Sequence, residues 1–465
     1  MKDFRKVLMP VALAAGFGGT AYGAQKQKPN IIFILADDMG IGDVGCYGQE
    51  MIETPNIDRL AKDGMLFTHH YAGSTVSAPS RCALMTGLDT GHGRVRGNAG
   101  TAEGFDCALR NGDTTIAELL KQAGYATACV GKWGLGGPTS EGNPQNKGFD
   151  YFFGYLSQGA AHNYYPDYLF ENNEKVYLNG KVYSHFLIVE KGLQFMKEHI
   201  DEPLFMYFAI TPPHADLDYP DISHYDGRFV ETPHINKPKT GRGYKSNPKP
   251  RATYASMVSE IDKNVGMVID LLEKEGKLDN SIIIFSSDNG VHCVGGHDPE
   301  YFNSNGPFRG YKRDLYEGGV RTPFVVRWPG HIKPGSTTDA VTTFWDFLPT
   351  ACEVAGIKAP KDIQGISYLP TLLGKKQRKT HDYIYYEFYE QGGKQSMLSV
   401  RDGWKLVRLN MDTPKKIKEE LYNINEDIAE ENDLIGKYPQ KADELRKLME
   451  SYRTESEMFK WKNKE

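Results

Sequence analysis

The chain has few cysteines and no cysteine motif. Its 465 residues contain six cysteines, at positions 46, 82, 107, 129, 293 and 352, and none of them forms a C-x-x-C pair. This spacing excludes a disulfide scaffold, a zinc ribbon and a dithiol redox motif. An excess of basic residues is also lacking, because the formal net charge is −5. That charge gives no reason to expect nucleic-acid binding.

Apolar runs long enough to cross a membrane are missing as well. One short run, Val7–Phe17, follows three basic residues and precedes small residues around Gly23. This order is typical of a secretory signal peptide over residues 1–23. We expect an exported protein, periplasmic or secreted, with no stable membrane insertion after signal removal. Losing three bases and one acid with that peptide moves the charge from −5 to −7.

Continuous apolar runs predict strands that are buried on both faces. These runs are Asn30–Ala36, Tyr125–Val130, Leu204–Ile210, Ser281–Ser287 and Pro323–Trp328. Amphipathic helical patterns lie between them, at Thr115–Gln122, Ser184–His199 and Ala252–Glu275. The alternation predicts an α/β domain over residues 24–374, with a large, mostly parallel mixed sheet sandwiched by helices.

The pattern changes from about residue 375. Short alternating strands are predicted at Tyr383–Phe388, Gln395–Arg401 and Trp404–Leu409, and a helix at Gln440–Thr454. We expect a smaller C-terminal α+β subdomain, an antiparallel sheet plus a helix, over residues 375–465. Upstream, Asn236–Arg251 carries six bases, three prolines and no acid, which predicts a long solvated loop.

Two of the predicted strands end in polar clusters. Asp37 and Asp38 follow the first strand, and Asp288 and Asn289 follow the strand that ends at Ser287. Ligands in doubly wound sheets bind beyond the carboxyl ends of the strands. Three carboxylates and an amide oxygen are hard ligands that suit Ca²⁺ or Mg²⁺ rather than zinc. Each cluster alone would also fit a turn or a helix cap.

The stretch T-V-S-A-P-S-R-C-A-L-M-T-G, residues 75–87, holds a candidate nucleophile, Ser77. It has no G-x-S-x-G elbow, so it does not fit an acyl-transfer triad. Arg81 follows four residues later, about one turn away if a helix begins near Pro79. A guanidinium there favours chemistry on an anionic group.

These residues resemble the signature of the formylglycine-dependent, arylsulfatase-like sulfatases of the alkaline phosphatase superfamily. S-A-P-S-R matches the serine type of that signature, in which Cys or Ser, x, P, x and R precede a short helix. The other motifs follow in the order of the family: A-D-D at 36–38, G-K-W at 131–133, P-P-H at 212–214, S-D-N-G at 287–290 and N-G-P-F-R-G-Y-K at 305–312. The resemblance covers essentially the whole mature chain.

The resemblance implies an enzyme that hydrolyses sulfate esters. Ser77 would be oxidised to formylglycine by an anaerobic-type radical maturating enzyme, and its hydrate would stand beside Ca²⁺ or Mg²⁺. The implied metal ligands are Asp37, Asp38, Asp288, Asn289 and the hydrate at Ser77. The implied catalytic residues are Ser77, Arg81 and Lys132 at the hydrate, Lys312 at the sulfate and His214 as the acid. His292 and His297 are interpreted as loop residues.

One position departs from the family pattern, and the substrate stays open. The family commonly has G-K-W-H, but position 134 is glycine, so the base that the histidine would supply is unassigned. A sulfated carbohydrate or an aryl sulfate is the expected substrate. Candidate substrate contacts are Arg96, Asn98, His162 and Tyr164. A phosphatase or phosphodiesterase of the superfamily, and an inactive glycan-binding relative, remain alternatives.

Overall fold

The computed structural model describes residues 28–98, 107–236 and 243–463. The predicted signal peptide, residues 1–23, lies outside these ranges, so it and export stay predictions. Within the same ranges, no helix has both the length and the apolar character needed to span a bilayer.

Strands and helices alternate over the first three quarters of the chain. The strands are β1 Asn30–Ala36, β2 Met65–Phe67, β3 His70–Tyr71, β4 Ala126–Lys132, β5 Tyr151–Tyr155, β6 Tyr168–Glu171, β7 Glu174–Tyr177, β8 Leu204–Ala209, β9 Ser281–Ser287, β10 Phe324–Arg327, β11 Ser336–Thr338, β12 Thr342–Thr343, β13 Tyr383–Phe388, β14 Lys394–Ser399, β15 Trp404–Leu409 and β16 Lys418–Asn423. The helices are α1 Pro55–Lys62, α2 Ser77–Thr86, α3 Ile116–Gln122, α4 Ser184–Glu198, α5 Pro250–Lys274, α6 Pro299–Phe302, α7 Glu317–Val320, α8 Phe347–Ala355, α9 Leu369–Leu372 and α10 Pro439–Tyr452.

One large mixed sheet carries the fold. Its strand order is β11-β2-β10-β9-β1-β8-β4-β5-β6-β7. The five central strands, β9 to β5, pair in parallel, whereas β10, β6 and β7 pair antiparallel with their neighbours. The predicted mostly parallel mixed sheet is therefore confirmed.

Both faces of this sheet are buried under helices, which explains why β1 is continuously apolar. Ile31, Phe33 and Leu35 point into one core, which also holds apolar residues of α2, α3 and α8. Ile32 and Ile34 point into a second core, shared with α1, α4 and α5. Burying each of these large side chains contributes roughly 1.5–3 kcal/mol. The sandwich of helices around the sheet is thus built from alternating sides of the same strands.

The C-terminal part forms a separate antiparallel sheet with the order β13-β14-β15-β16, and α10 packs on it. The prediction missed β16, whose first half, Lys418-Glu419-Glu420, lacks an apolar signal. Where a strand or helix was predicted, its ends differ from the observed ends by at most two residues. Strands β2, β3, β5, β6, β7, β11 and β12 and helices α1, α6, α7, α8 and α9 were not predicted. The predicted domain boundary between residues 374 and 375 stays a prediction.

A buried group of charges, here called the joint cluster, joins the two parts. Glu317 and Arg321 lie at α7, Lys405 lies on β15 and Glu430 lies beyond β16. Lys405 Nζ is 2.8 Å from Glu317 Oε1 and 2.9 Å from Glu430 Oε1, and Arg321 Nε is 3.0 Å from Glu317 Oε2. Burial would raise the pKa of Glu317, but Lys405 and Arg321 lower it to about 2.

Helix α2 begins at Ser77, two residues earlier than expected. Val76 is its extended N-terminal cap residue, and Pro79 lies in the first turn, where a missing N–H costs nothing. All ten residues of α2 are buried. The helix ends at Gly87, which has a positive φ of 72° and donates its N–H to Ala83 O. Ser77 is therefore held rigidly at the start of an enclosed helix.

Candidate active site

The site is assembled where four parallel strands end. Asp37 and Asp38 follow β1, Asp288 follows β9, His214 lies in the loop after β8, and Lys132 closes β4. β1 and β9 are in register, with Ala36 opposite Ser287. This register places both acidic pairs at one edge, so that Asp38 N–H donates to Asp288 Oδ1 at 3.1 Å. The clusters predicted from separate strands are brought together.

Ser77 lies at the centre of these groups and is only 2% exposed. Its hydroxyl donates to Asp37 Oδ1 at 3.0 Å and accepts from Lys132 Nζ at 3.1 Å. The same lysine donates to Asp37 Oδ2 at 2.6 Å. An acid and a base thus both contact the oxygen of Ser77.

Arg81 lies one turn further along α2 and is completely buried. Its Nε and one terminal nitrogen donate to Asp288 Oδ2 at 3.1 and 2.9 Å, and its other terminal nitrogen donates to Lys132 O at 2.8 Å. It lies 3.7 Å from Asp37 Oδ2. The guanidinium therefore joins the serine helix to the acids after β1 and β9.

The remaining residues predicted as catalytic or as metal ligands contact Asp38. Lys312 Nζ is 2.6 Å and His214 Nε2 is 3.3 Å from its Oδ2, and Asn289 Nδ2 donates to its Oδ1 at 2.7 Å. The ring of His214 is fixed on its other side, where Nδ1 contacts the carbonyl of Ala215. Nε2 is thus the ring nitrogen that points into the site.

The electrostatics of the site follow from burial and pairing. Burial would raise the pKa values of Asp37 and Asp38, but Lys132 near Asp37 and Lys312 near Asp38 hold both below the usual range. Burial and the nearby Asp37 raise the pKa of Asp288 to about 6, against the effect of Arg81. Burial lowers the pKa of Lys132, which Asp37 partly offsets. The site keeps charged groups charged only through mutual pairing.

The donor set fits a hard divalent cation. Donor atoms of Asp37, Asp38 and His214 lie within 4.8 Å of one another. Asn289 Oδ1 is buried and has no hydrogen-bond partner in the part of the chain that the structure describes. An orphaned buried acceptor is costly unless something electropositive binds it. The carboxylates and this oxygen together suit Ca²⁺ or Mg²⁺.

Two aromatic residues lie beside the charged groups. The His162 ring is 4.3 Å from the His214 ring and stacks at 6.2 Å on Tyr244, with 6° between the planes. Burial and the neighbouring Lys132 lower the pKa of His162 to about 4. Tyr244 was missed because it sits in the basic stretch 236–251. His162, a predicted substrate contact, is thus at the site.

Three other predicted substrate contacts are placed differently. Tyr164 is fully buried, and its hydroxyl donates to His214 O at 2.9 Å, so it supports the site from behind. Arg96 is 2% exposed and pairs with Glu387 at 2.8 Å, which joins it to the C-terminal sheet. Neither side chain is free to contact a substrate. Asn98 is exposed, and its Oδ1 lies 3.4 Å from Ala78 N, near the free N–H groups that begin α2.

Gly134 lies in a conformation that explains its identity. Its φ is 71°, and a Cβ at this position would meet Gln158 Nε2 at 1.8 Å. Gln158 therefore occupies the space into which a side chain at 134 would extend. A glutamine amide cannot accept a proton as a base does, so the base stays unassigned. No pattern in the sequence signalled Gln158.

The interpretation of His292 and His297 as loop residues agrees with the structure, although both are buried. His292 Nε2 lies 3.1 Å from Pro213 O, and the His297 ring stacks on Tyr254 at 3.5 Å. Neither belongs to the group of possible metal ligands found in the described residues.

Comparison with known families identifies the chain. The sulfatase family model matches residues 29–357, and the model of the N-sulphoglucosamine sulphohydrolase C-terminal region matches residues 307–456. The chain belongs to the sulfatase family. This sulfatase is accordingly a sulfuric ester hydrolase.

Relatives of this sulfatase cover most of its length. It is 34% identical to human N-acetylgalactosamine-6-sulfatase, over 76% of this chain and 68% of that protein. It is 30% identical to an N-acetylgalactosamine-6-O-sulfatase of Bacteroides thetaiotaomicron, over 93% of this chain and 94% of that protein. The crystal structure of Ps i-CgsB in complex with k-i-k-neocarrahexaose superposes with a TM-score of 0.76 at 27% identity, covering 92% of this chain and 93% of that one.

Proposed function

We propose that this sulfatase removes sulfate from sulfated carbohydrates and that its nucleophile is Ser77 after conversion to formylglycine. The observation that carries the proposal is the convergence of Asp37 and Lys132 on one buried hydroxyl oxygen. Nothing in that arrangement resembles an acyl-transfer triad. A carboxylate and an ammonium group on one oxygen suit instead an oxygen that attacks an anionic group such as a sulfate ester.

The modification solves a turnover problem that an ordinary serine has. An attacking serine oxygen would end as a stable sulfate ester. A hydrated aldehyde has two hydroxyls on one carbon, so one can give its proton to Asp37, which already accepts from the Ser77 hydroxyl, and take the sulfuryl group as the S–O bond to the alcohol breaks. The other then loses its proton, its electrons re-form the carbonyl, and sulfate leaves with the C–O bond electrons. Water restores the hydrate.

The surrounding residues fit this sequence. Arg81 and Lys132 hold the hydrate, and Lys312 faces the sulfate oxygens. His214 Nε2 would supply the proton to the departing alcohol oxygen, a role worth roughly 10²–10⁴ in rate. Burial and Lys312 lower the pKa of His214 well below its usual range, so the ring would have to take up this proton at Nε2, beside Asp38, before the alcohol leaves. Asp37, Asp38, Asp288 and Asn289 would hold the cation, Ca²⁺ before Mg²⁺, and the bound cation supplies electrostatic stabilisation of charge on the transferring group.

The substrate proposal rests on relatives and on the site rim. Two relatives are named for N-acetylgalactosamine 6-sulfate, and a protein of similar fold is described in complex with k-i-k-neocarrahexaose. The stacked rings of His162 and Tyr244 offer a flat apolar surface for a sugar. We place 6-O-sulfated N-acetylgalactosamine first, with sulfated galactose, N-acetylglucosamine sulfates and aryl sulfates behind it.

Two further parts of the proposal concern biogenesis. Residues 1–23 direct export, to the periplasm or the exterior, and a radical enzyme of the anaerobic type oxidises Ser77 before export. That oxidation removes two hydrogens from the serine side chain. Expression without such an enzyme should therefore yield folded but inactive protein.

The decisive experiment is mass spectrometry of the peptide that contains residues 75–81, from native enzyme of measured activity. We expect the mass to be lower by two hydrogens than that of the unmodified peptide. Unmodified serine in fully active enzyme would rule out the formylglycine mechanism. The same preparation should release sulfate from N-acetylgalactosamine 6-sulfate faster than from its 4-sulfate isomer.

The phosphatase alternative is tested on the same protein. Two-zinc phosphatases need a second set of Asp and His ligands, and the described residues contain one group of three possible ligands. We expect hydrolysis of 4-nitrophenyl sulfate to exceed hydrolysis of 4-nitrophenyl phosphate. The reverse order would favour a phosphatase, and no hydrolysis of either would favour an inactive glycan-binding relative.

A further inference from the structure

A second concentration of positive charge lies away from the active site. A groove of about 660 Å³ is lined by the loop at residues 365–367 and by the run Lys375-Lys376-Gln377-Arg378-Lys379. We call it the basic groove. Four of the five residues of this run are cationic, and all four are exposed.

The loop that carries these cations is fixed by its central residue. Gln377 Nε2 donates to the carbonyls of Ser367 and Lys379, both at 2.8 Å. Its Oε1 accepts from Thr371 Oγ1 at 3.1 Å. Lys375 N–H also donates to Pro370 O at 2.8 Å, which anchors the start of the run to α9. These hydrogen bonds fix the backbone of the loop, so the four cations have defined positions. A run of charges that only contacts solvent would not need such anchoring.

The four cations lack anionic partners. None of Lys375, Lys376, Arg378 and Lys379 forms an ion pair with any carboxylate of residues 28–98, 107–236 and 243–463. One acid, Glu353, lines the groove, and its carboxylate already accepts from Ser367 Oγ at 2.5 Å. Four like charges on one short loop repel each other, and a ligand with several regularly spaced anions relieves that repulsion.

The basic groove is distinct from the active site. Gln364 and Gly365, at one edge of the groove, donate their N–H groups to Gly87 O at 3.1 Å. Gly87 ends the helix whose first residue is Ser77. A ten-residue helix is about 15 Å long, so the groove and the nucleophile lie at opposite ends of α2.

We propose that the basic groove binds a chain of sulfated polysaccharide, separately from the sulfate ester that is hydrolysed. The choice of a sulfated glycan over other polyanions rests on the proposed function, because a polymer substrate would carry sulfates to both sites. Its consequence is that the enzyme stays on a sulfated polymer between cleavage events. Small substrates, which cannot reach both sites, gain nothing from it.

The test measures binding of heparin, as a densely sulfated probe, to three forms of the protein. The groove variant carries Lys375→Gln, Lys376→Gln, Arg378→Gln and Lys379→Gln. The matched control carries four substitutions of exposed lysines elsewhere that also lack ion pairs: Lys181→Gln, Lys197→Gln, Lys415→Gln and Lys416→Gln. Both variants change the net charge by the same amount, so a difference between them reports position rather than total charge.

The expected result has a salt signature. If four cations of the groove each contact a sulfate, heparin binding should weaken by roughly 50-fold when NaCl rises from 50 to 200 mM, because such binding releases counterions. The native protein and the control should share that slope, and the groove variant should bind at least about tenfold more weakly at 50 mM with a flatter slope. All three should hydrolyse 4-nitrophenyl sulfate at equal rates.

Several results would overturn the proposal. Equal losses in the groove variant and the control would mean general charge attraction. Equal binding of desulfated heparin would remove the sulfate requirement, and binding to phosphatidylserine vesicles without binding to heparin would indicate a membrane surface instead. Failure of the proposed function is seen separately, as absent hydrolysis while heparin binding still depends on the groove.

Discussion

Two buried clusters of charge in this sulfatase look alike in composition and differ in what they leave unpaired. The site around Ser77 combines Asp37, Asp38 and Asp288 with Arg81, Lys132 and Lys312, all at most 6% exposed in their side chains. The joint cluster combines Glu317 and Glu430 with Arg321 and Lys405, equally buried. Both match acids with an equal number of bases.

The two clusters differ in what their charged side chains contact. In the joint cluster, charged side chains from different parts of the chain pair with each other and hold two sheets together. In the active site, Asp37 and Lys132 converge on a third group, the oxygen of Ser77, and Asn289 Oδ1 is left without a partner among the described residues. Burial of charge is common to both clusters. In the joint cluster Glu430 Oε1 makes no hydrogen bond within the described part of the chain but lies 2.9 Å from Lys405 Nζ, whereas Asn289 Oδ1 is an uncharged acceptor left free to bind a further group.

The largest expected effect comes from removing the central oxygen. Ser77→Ala should abolish sulfate release, because the attacking atom is gone, while the melting temperature stays close to that of the native protein. Sulfate release is measured by ion chromatography on proteins purified side by side. Turnover by the variant above background would place the nucleophile elsewhere.

The joint cluster should respond in the opposite way. Lys405→Ala leaves Glu317 and Glu430 buried without their shared cation, and breaking such a pair costs about 3–5 kcal/mol of unfolding free energy. Urea unfolding measures the loss. Activity per folded molecule should be unchanged, since Lys405 does not contact the site. As a control, Lys415→Ala removes an exposed lysine and should leave stability within about 0.5 kcal/mol.

A third buried acid sharpens the comparison because it has no cation at all among the described residues. Asp43 accepts from Ser304 Oγ, Tyr254 Oη and Gly40 N–H, and burial raises its pKa from 3.8 to about 6. A raised acid pKa stabilises the fold fully below pH 4, and that contribution is lost as pH rises through 6.

Asp43→Asn is neutral at every pH, so it should remove this dependence. The stability of the native protein relative to the variant should fall by roughly 2.4 kcal/mol between pH 4 and pH 7. Urea unfolding at several pH values tests it. A difference between the two proteins that does not change with pH would show that Asp43 titrates alike in the folded and unfolded chains.

The smallest expected effect concerns the unpaired amide oxygen. At a Ca²⁺ concentration of 100 times Kd, a single site stabilises a protein by about 2.7 kcal/mol. Asn289→Ala should lose most of the Ca²⁺-dependent rise in melting temperature. Asn264→Ala is the matched control, because that buried amide contacts His185 and Glu260 and not the site. An equal Ca²⁺ response in the Asn289 variant and the native protein would contradict the ligand assignment.

Features whose signal lies within a short stretch of sequence could be predicted, and features that depend on distant residues could not. Continuous apolar runs followed by Asp37 and Asp288 are local patterns, so the position of the acids and four of the five central strands (β1, β4, β8 and β9) were predicted, whereas β5 was not. β16 was missed because it begins with charged residues. Four of its six residues are buried, but one of them is Glu420, so the strand gives no continuous apolar run.

The substrate contacts stay predictions, but the partners of two of them could not be seen in the sequence. An arginine or tyrosine in a loop looks available until its partner is known, and those partners are distant in sequence. Arg96 pairs with Glu387, 291 residues away, and Tyr164 donates to His214 O, 50 residues away. Gln158 is equally invisible, because its role depends on the missing Cβ of Gly134. Only the folded chain reveals which polar groups are already engaged.

Because β1 pairs with β9, the site around Ser77 cannot be completed until β9 has been synthesised. Ser77 leaves the ribosome about 210 residues before Ser287, the end of β9. At roughly 5–20 residues per second, that separation lasts about 10–40 s. Throughout this interval Asp288 and Asn289, which follow β9, are missing, so the pocket that later encloses Ser77 is incomplete. The oxidation proposed for Ser77 would therefore find the serine accessible for at least those seconds.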